Sequence, residues 1–574
     1  MPYQRILYQL SFLAACIVAV VLIAFGAEAA CRATWLPGET LWTLRHLAGL
    51  AILRVLGQAD PAASYCAAGG VAETISTLMV YAAPVLLLLV AGQMLYEGLR
   101  HTLRRLYYAR RGGHALILGD AEDVGSLVAR EAPSGRMLLL GRDEAGGRTL
   151  QQRFWKMPVI AHDVATARLG LARARMVAAV SGSDVANLNL IEDLADGASP
   201  AGGVILRLES PAMRAAQAAR GGRFNEEVSL DQGLFRRGAV AGDPGDVFHR
   251  GQYPAHIVLI GGEPGLGNLA LHLAGFGYGL EHAPPRFTIL GMGGADRSAA
   301  IERLRATAEI VTVTSAACEL SDPVGLERTL AGVLAQTPAP CAIHCIGGAA
   351  GDAVATAMIA AATARSLALQ PPKVIAYGRA GAPAPRMGGT AGISYIACEG
   401  LAVAIADKDR RDRMARAVHE SYLALQRRTR GKAFGTMVAE CGWEDLPIAF
   451  RDDNRAAADH IDHMIRAVGL VRRPVTGAPA VLDAGLTEKM AAMAHARWMA
   501  GKMLAGWRYG PRRDDHARLH DALLPYADLP DTEKDKDRQQ IGAIPHILAM
   551  LGKELATSSD IGPNVKVRPS PEFS

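Results

Sequence analysis

The sequence predicts a multidomain fold: two transmembrane helices, then two α/β domains with parallel sheets, then an all-α domain. Three observations carry this. Two uncharged apolar runs lie near the N-terminus, strand–glycine–helix units repeat through the middle, and scarce aromatic residues gather with basic ones near the C-terminus. A chain of 574 residues has room for about four domains. The net charge of +5 is too small to argue for nucleic acid, and no nucleic-acid partner is expected. The eight cysteines contain no C-x-x-C pair, which argues against a zinc ribbon.

The first apolar run, Leu7 to Phe25, is long enough to cross a hydrocarbon core of about 30 Å at about 1.5 Å per residue. A signal peptide competes for this stretch, with Arg5 before it and Ala-Glu-Ala-Ala at 27–30 after it. A second run, Ile75 to Met94, favours two spans. The following flank carries Arg100, Arg104, Arg105, Arg110 and Arg111 against Glu97, the pattern of a cytoplasmic side. Residues 1–112 are therefore expected to form a two-span region with both termini cytoplasmic and segment 26–74 on the other side. That segment holds Cys31 and Cys66, the disulfide candidates, because an oxidising compartment permits the bond. It also holds an apolar helix over Thr40–Gly57, but no T-V-G-Y-G filter.

From His114 the texture becomes βαβ, with short apolar runs separated by glycine turns and helical stretches. Residues 113–252 read as one α/β domain. HALILGDAEDVGSLVAREA leads into RMLLLGRDE, His162-Asp163 follows a third strand, and Ser181-Gly182-Ser183-Asp184 with Asn187 follows a fourth. This order resembles the regulator-of-potassium-conductance (RCK, TrkA-N-like) domain, a Rossmann-type module. The resemblance implies a nucleotide or NAD at the glycine turn, with Gly119 and Gly125 near the pyrophosphate and Asp143 or Asp163 near the ribose. The turn is degraded: it runs one residue long and places Ala121 at the middle glycine.

A second series over 253–406 repeats the pattern and reads as an internal duplication. Its turn carries Gly261, Gly265 and Gly267 and is again too long; its second strand ends in Gly291, with no acid until Asp296. No cofactor is certain from two such turns. Cys341 and Cys345 flank His344 in a strand whose alternation puts both on one face, as small core residues rather than metal ligands. Residues 407–442 form a linker, a charged helix with Met414, Val418 and Tyr422 on its docking face.

In Leu486–Asp537, Trp498, Trp507, Tyr509, Tyr526, His495 and His520 interleave with Arg497, Lys502, Arg508, Arg512 and Arg513. On a helix capped at Thr487, His495, Trp498 and Lys502 share a face. Aromatic planes among cations suit an anionic ligand with a planar ring. H-x-x-W, G-W-x-Y-G, Leu524-Pro525-Tyr526 and Glu533-Lys534-x-x-Asp537 resemble the ryanodine-receptor repeat (RyR) domain. Trp443 to Ile461 resembles the first helix of that domain and its lead-in, with Arg451, Asn454 and Arg455 in place. The resemblance covers 443–556, followed by a disordered tail at 557–574. It implies a helical module for a small nucleotide-like ligand, held by Arg451, Asn454, His495, Arg497, Trp498, Trp507, Tyr509, His520 and Lys534.

These parts suggest a ligand-gated membrane effector or channel-like protein, a homo-oligomer in the bacterial inner membrane with the lipid bilayer as partner, and a role in anti-phage defence by analogy. A nucleotide-sensing regulator of potassium transport is the alternative, and a membrane-bound NAD-dependent oxidoreductase the last. No catalytic constellation flanks the glycine turns, so an enzyme is not expected, nor is a metal.

Overall fold

The computed structural model describes residues 92–557 apart from 94, 97–98, 101, 132–135, 155–156, 161–172, 196–202, 211–212, 215, 218–225, 263–264, 292–298, 348–349, 368–369, 379–391, 398–407 and 476–479. The chain divides into two compact units: Met1–Val124, Glu131–Ala178 and Glu192–Gly203 form one, and Gly125–Arg130, Ala179–Ile191 and Val204–Ser574 the other.

In the first unit, strands β1 (Ala115–Leu118), β2 (Met137–Leu140), β3 (Val159–Ile160) and β4 (Met176–Ala179) lie in the order β3-β2-β1-β4. The β1–β2 and β2–β3 pairs are parallel. ALIL, MLLL and MVAA are buried at every position. Unbroken apolar strands of this kind belong to parallel sheets covered on both faces, where alternation is not needed. Helix α1 (Ala121–Glu131) follows β1 and α2 (Glu144–Arg153) follows β2. At the end of β2, a Cβ on Gly141 would collide with the backbone of Gly147, so the glycine there admits the close approach of α2.

Among the described residues, no helix is long and apolar enough to cross a membrane. The expected two transmembrane helices, and the multi-pass inner-membrane placement built on them, are corrected accordingly. The runs that carried them, 7–25 and nearly all of 75–94, lie outside the described residues, as do Cys31 and Cys66. The helix that is described over 102–111 carries Arg104, Arg105, Arg110 and Arg111, too many charges for a hydrocarbon core.

The second unit begins with α3 (Asp184–Ala195), β5 (Val204–Arg207), β6 (Glu226–Val228), α4 (Leu230–Ala241) and the short α5 (Gly245–His249). A second sheet follows: β7 (His256–Gly261), β8 (Arg286–Gly291), β9 (Thr312–Ala317), β10 (Ala342–Ile346), β11 (Lys373–Tyr377) and β12 (Ile393–Ile396), ordered β12-β11-β10-β7-β8-β9. Every pair in it is parallel. Helices α6 (Gly265–Ala274), α7 (Ala299–Arg305), α8 (Pro323–Leu334) and α9 (Ala350–Leu367) connect the strands. Two parallel-sheet α/β regions are thus present, as the βαβ texture predicts.

Alternate residues of β7 face two cores: Ile257 and Leu259 one, Val258 and Ile260 the other. Cys345 joins the second core, but Cys341 packs against the first. The expected shared face fails because residue 341 precedes β10, where strand alternation does not yet hold.

The chain then forms α10 (Lys408–Arg430), α11 (Ile448–Ala467), β13 (Leu470–Pro474), α12 (Ala484–Leu504), β14 (Arg508–Tyr509), β15 (Leu519–His520), α13 (Asp531–Gly542), α14 (Ile544–Met550) and β16 (Lys553–Thr557). Met414 and Val418 on α10 are buried, so the predicted face docks. One hydrophobic core runs without a break from Phe287 of the second sheet through Met464 of α11 to Met490 of α12 and Ile547 of α14. The second sheet and the C-terminal helices therefore share a single core.

Candidate ligand site on the C-terminal helices

Helix α12 is capped by Asp483, whose side chain accepts from Leu486 N, one turn before the expected cap at Thr487. Asp outranks Thr at this position, and the extended backbone of Asp483 is the capping geometry. At the other end, Gly506 adopts φ +83. Gly506 N donates to Met503 O and Trp507 N to Lys502 O, a Schellman motif. That motif requires a residue tolerant of positive φ after the last turn, which explains the glycine in G-W-x-Y-G. It returns Trp507 over the helix end, where Lys502 Nζ lies 5.7 Å from the Trp507 ring centroid. The second glycine of the motif, Gly510, leaves room for Leu519, whose Cβ would lie 2.9 Å from any added Cβ. That closeness lets β14 pair with β15, with Tyr509 opposite His520.

The pairing delivers His520 between two indoles. Its ring centroid is 5.0 Å from that of Trp498, edge to face, and 6.2 Å from that of Trp507. Its Nδ1 accepts from Ala522 N at 3.1 Å and lies 3.3 Å from Asp521, and burial together with the Arg513 charge pushes its pKa down, toward the neutral ring. Trp498, Trp507, Lys502 and His520 are all half-buried. Lys502 also pairs with Asp453 of α11 at 3.2 Å. Arg497, one residue before Trp498, makes no hydrogen bond or ion pair among the described residues; burial depresses its pKa against the pull of Asp453, Asp537 and Asp459. Arg508, Arg512, Arg513 and Arg518 are exposed around this surface.

Most of the other expected site residues make contacts within the fold. His495 is 3% exposed, its Nε2 facing Leu524 O at 2.9 Å and its Nδ1 facing Asp537 at 3.2 Å, so it ties α12 to the Leu-Pro-Tyr step and to α13. Arg451 is buried and donates to Leu446 O and Glu444 O. Asn454 donates to Phe450 O on its own helix. Lys534 donates to Ala527 O and lies over Tyr526. Tyr509 is 54% exposed. Arg455 clamps Asp412 with two hydrogen bonds, joining α11 to α10. Asp453 is the residue that sequence reasoning missed; only its spacing on α11 from the basic α12 could have marked it.

The glycine-turn residues are likewise occupied. Asp143 caps α2, its carboxylate accepting from Gly146 N at 2.7 Å and from Arg142, contacts that hold its pKa low. Gly119 N donates to Leu140 O, and Gly125 lies within α1. Cβ atoms on Gly261 or Gly265 would run into Ile346, and Gly267 is buried in α6. Asp163 lies outside the described residues. Asn187 bonds the Ser181 main chain and hydroxyl and Arg207 O, while Asp184 accepts from Glu209 N and Ser210 N. Among the described residues no cluster of three or more metal-ligating side chains occurs. The family model of the RyR domain matches residues 482–557, which span α12 to β16 and contain Trp498, Trp507 and His520.

Proposed function

We propose that this chain is a sensor of a small nucleotide-like ligand, held by the Trp498–His520–Trp507 cluster of its RyR domain. The observation that carries the reading is the ring geometry. Two half-buried indoles flank a neutral histidine beside Lys502, with Arg497 making no hydrogen bond or ion pair among the described residues and Arg508 and Arg512 exposed nearby. Planar faces next to accessible cations are what a base with an attached phosphate uses, through stacking and charge-assisted hydrogen bonds.

The core shared with the second α/β region gives binding a route to the rest of the unit. Ligand that favours one packing of that core shifts its population without a separate hinge. In the finer reading the α/β regions are RCK-like scaffolds of a homo-oligomer that relay the signal rather than bind dinucleotide. The occupied Asp143 and the glycines committed to packing support a relay role.

The test is thermal unfolding of the full chain with cyclic nucleotides, ADP-ribose derivatives and NAD. One ligand of the panel should stabilise the protein by about 2.7 kcal/mol at a hundredfold excess over Kd. The shift should vanish in Trp507→Ala while the unliganded variant still unfolds cooperatively. No shift with any of them, or a shift that Trp507→Ala leaves intact, removes this reading.

A further inference from the structure

A cleft of about 180 Å³ opens where α4 and α6 meet, with Leu504 of α12 on its wall. Its first feature is a saturated acid. Glu209 accepts from Arg207 Nε at 2.8 Å, Ser229 Oγ at 2.6 Å, Leu230 N at 3.1 Å and Asp231 N at 3.2 Å. Its carboxylate thus caps the start of α4 and has little capacity left for a ligand.

Its neighbours are the reverse. The Asp231 carboxyl and the side-chain amides of Gln232 and Asn268 line the cleft without a hydrogen bond to the protein among the described residues. His272 Nε2, on the same wall, is buried and unpartnered. Buried polar atoms are normally paired, so the His272 Nε2 left over here is a valence kept for something else, and the half-buried Asp231, Gln232 and Asn268 stand beside it on the same cavity. Between them lie apolar surfaces, the Phe235 ring and Leu504. Arg303 stands exposed at the rim. Burial, with help from Arg236 and Arg214, pushes His272 down to about 3, so near neutral pH it offers one N–H and one lone pair.

We propose that this cleft binds a guanine-type nucleotide base, edge-on to Asp231 with the ring packed on Phe235 and Leu504. An ionised carboxylate accepts only, and a ring N–H beside an amino group offers it two parallel donors. Asn268 and Gln232 each present an amide N–H donor, which matches the carbonyl and the unprotonated ring nitrogens of such a base. Arg303 meets a phosphate at the mouth. The size agrees, since a cavity of about 150 Å³ holds benzene and this one is open on one side. The site is distinct from the Trp507 cluster and stands or falls without it.

Isothermal titration of the full chain with guanosine 5′-monophosphate tests the assignment. Saturable binding is expected, with adenosine 5′-monophosphate at least tenfold weaker because it cannot present two adjacent donors to one carboxylate. Asp231→Asn and Asn268→Ala should each weaken binding at least tenfold, and Trp507→Ala should leave it unchanged. Melting of Asp231→Asn no lower than the parent assigns its lost binding to the site rather than to misfolding. Absence of saturable binding, equal affinity for the two nucleotides, or insensitivity to both cleft substitutions overturns the proposal. Loss of binding in Trp507→Ala also overturns it, by moving the nucleotide to the other cluster.

Discussion

Around Asp243 and around Trp507 the chain assembles similar residues, a histidine, cations and an acid beside aromatic rings, and leaves them in opposite states. Asp243 is 2% exposed and accepts from Gly245 N at 2.7 Å, faces His463 Nδ1 at 2.7 Å and pairs with Arg466, while Lys373 caps its main-chain oxygen. Burial would raise the Asp243 carboxyl, but His463 and Arg466 outweigh it and hold the group well below the usual carboxylate range. Tyr278 and Phe248 pack edge-on against His463. The Trp507 cluster stays half-buried; Lys502 pairs with Asp453, while Arg497 makes no hydrogen bond or ion pair among the described residues. Saturated polar groups in a dry core specify how α5 sits on α11; unsaturated ones at a surface are available to a ligand.

The largest break in that comparison is Asp243→Ala. It leaves Arg466 and His463 facing a void and should cost about 3–5 kcal/mol in urea unfolding of the full chain. A cost under about 1 kcal/mol would show that the cluster does not hold the fold.

Asp231→Asn sharpens the contrast from the other side. Burial and the nearby Glu209 raise Asp231 from 3.8 to about 6. Between those values the folded state binds more protons than the unfolded one, so stability falls as pH rises through the window and stays reduced above it. At about 1.4 kcal/mol per unit, removing the charge should stabilise the protein at pH 7.5 by up to about 3 kcal/mol. The gain should disappear below about pH 4. Melting temperatures of parent and variant from pH 4 to 8 decide it, and equal curves would return Asp231 to an ordinary solvated acid. A residue that costs stability while lining a cleft fits a trade of stability for binding.

Gly238→Ala tests close packing without charge. An added Cβ would collide with the Tyr377 hydroxyl, which itself bonds His344 Nδ1 at 2.8 Å. A loss of about 1–3 kcal/mol is expected from the forced shift of α4 off the second sheet. The smallest effect belongs to Trp507→Ala, whose ring is half-exposed: about 1 kcal/mol of stability by urea unfolding. A loss as large as that of Asp243→Ala would make Trp507 a core anchor and erase the distinction between the clusters.

Local chemistry was legible where it repeats or punctuates. Apolar strands between glycine turns marked both parallel sheets, and the Met414–Val418 spacing marked the buried face of α10. G-W-x-Y-G marked the segment that matches the RyR model, and its two glycines have local causes in a Schellman turn and a close strand pair. H-x-x-W spacing does not show that His495 also makes a buried tie to Asp537, since that contact joins α12 to α13 and comes from the tertiary fold. The apolar runs at 7–25 and 75–94 read as spans from their length, hydropathy and arginine-rich flank; they lie almost wholly outside the described residues, and no described helix is long and apolar enough to cross a membrane.

By itself the sequence determined the strand and helix periods, the turn at Gly506 and the pool of aromatic and basic residues on α12, because these depend on neighbours a few positions apart. Only the tertiary structure decided which polar groups are saturated. Glu209 and Asp231 look alike in sequence, yet among the described residues the carboxylate of one gathers four donors and that of the other none. The common core of Phe287, Met464 and Met490, and a cleft assembled from residues as far apart as Asp231 and Leu504, arise from long-range packing, where hydrogen-bond geometry and desolvation are set by the whole fold.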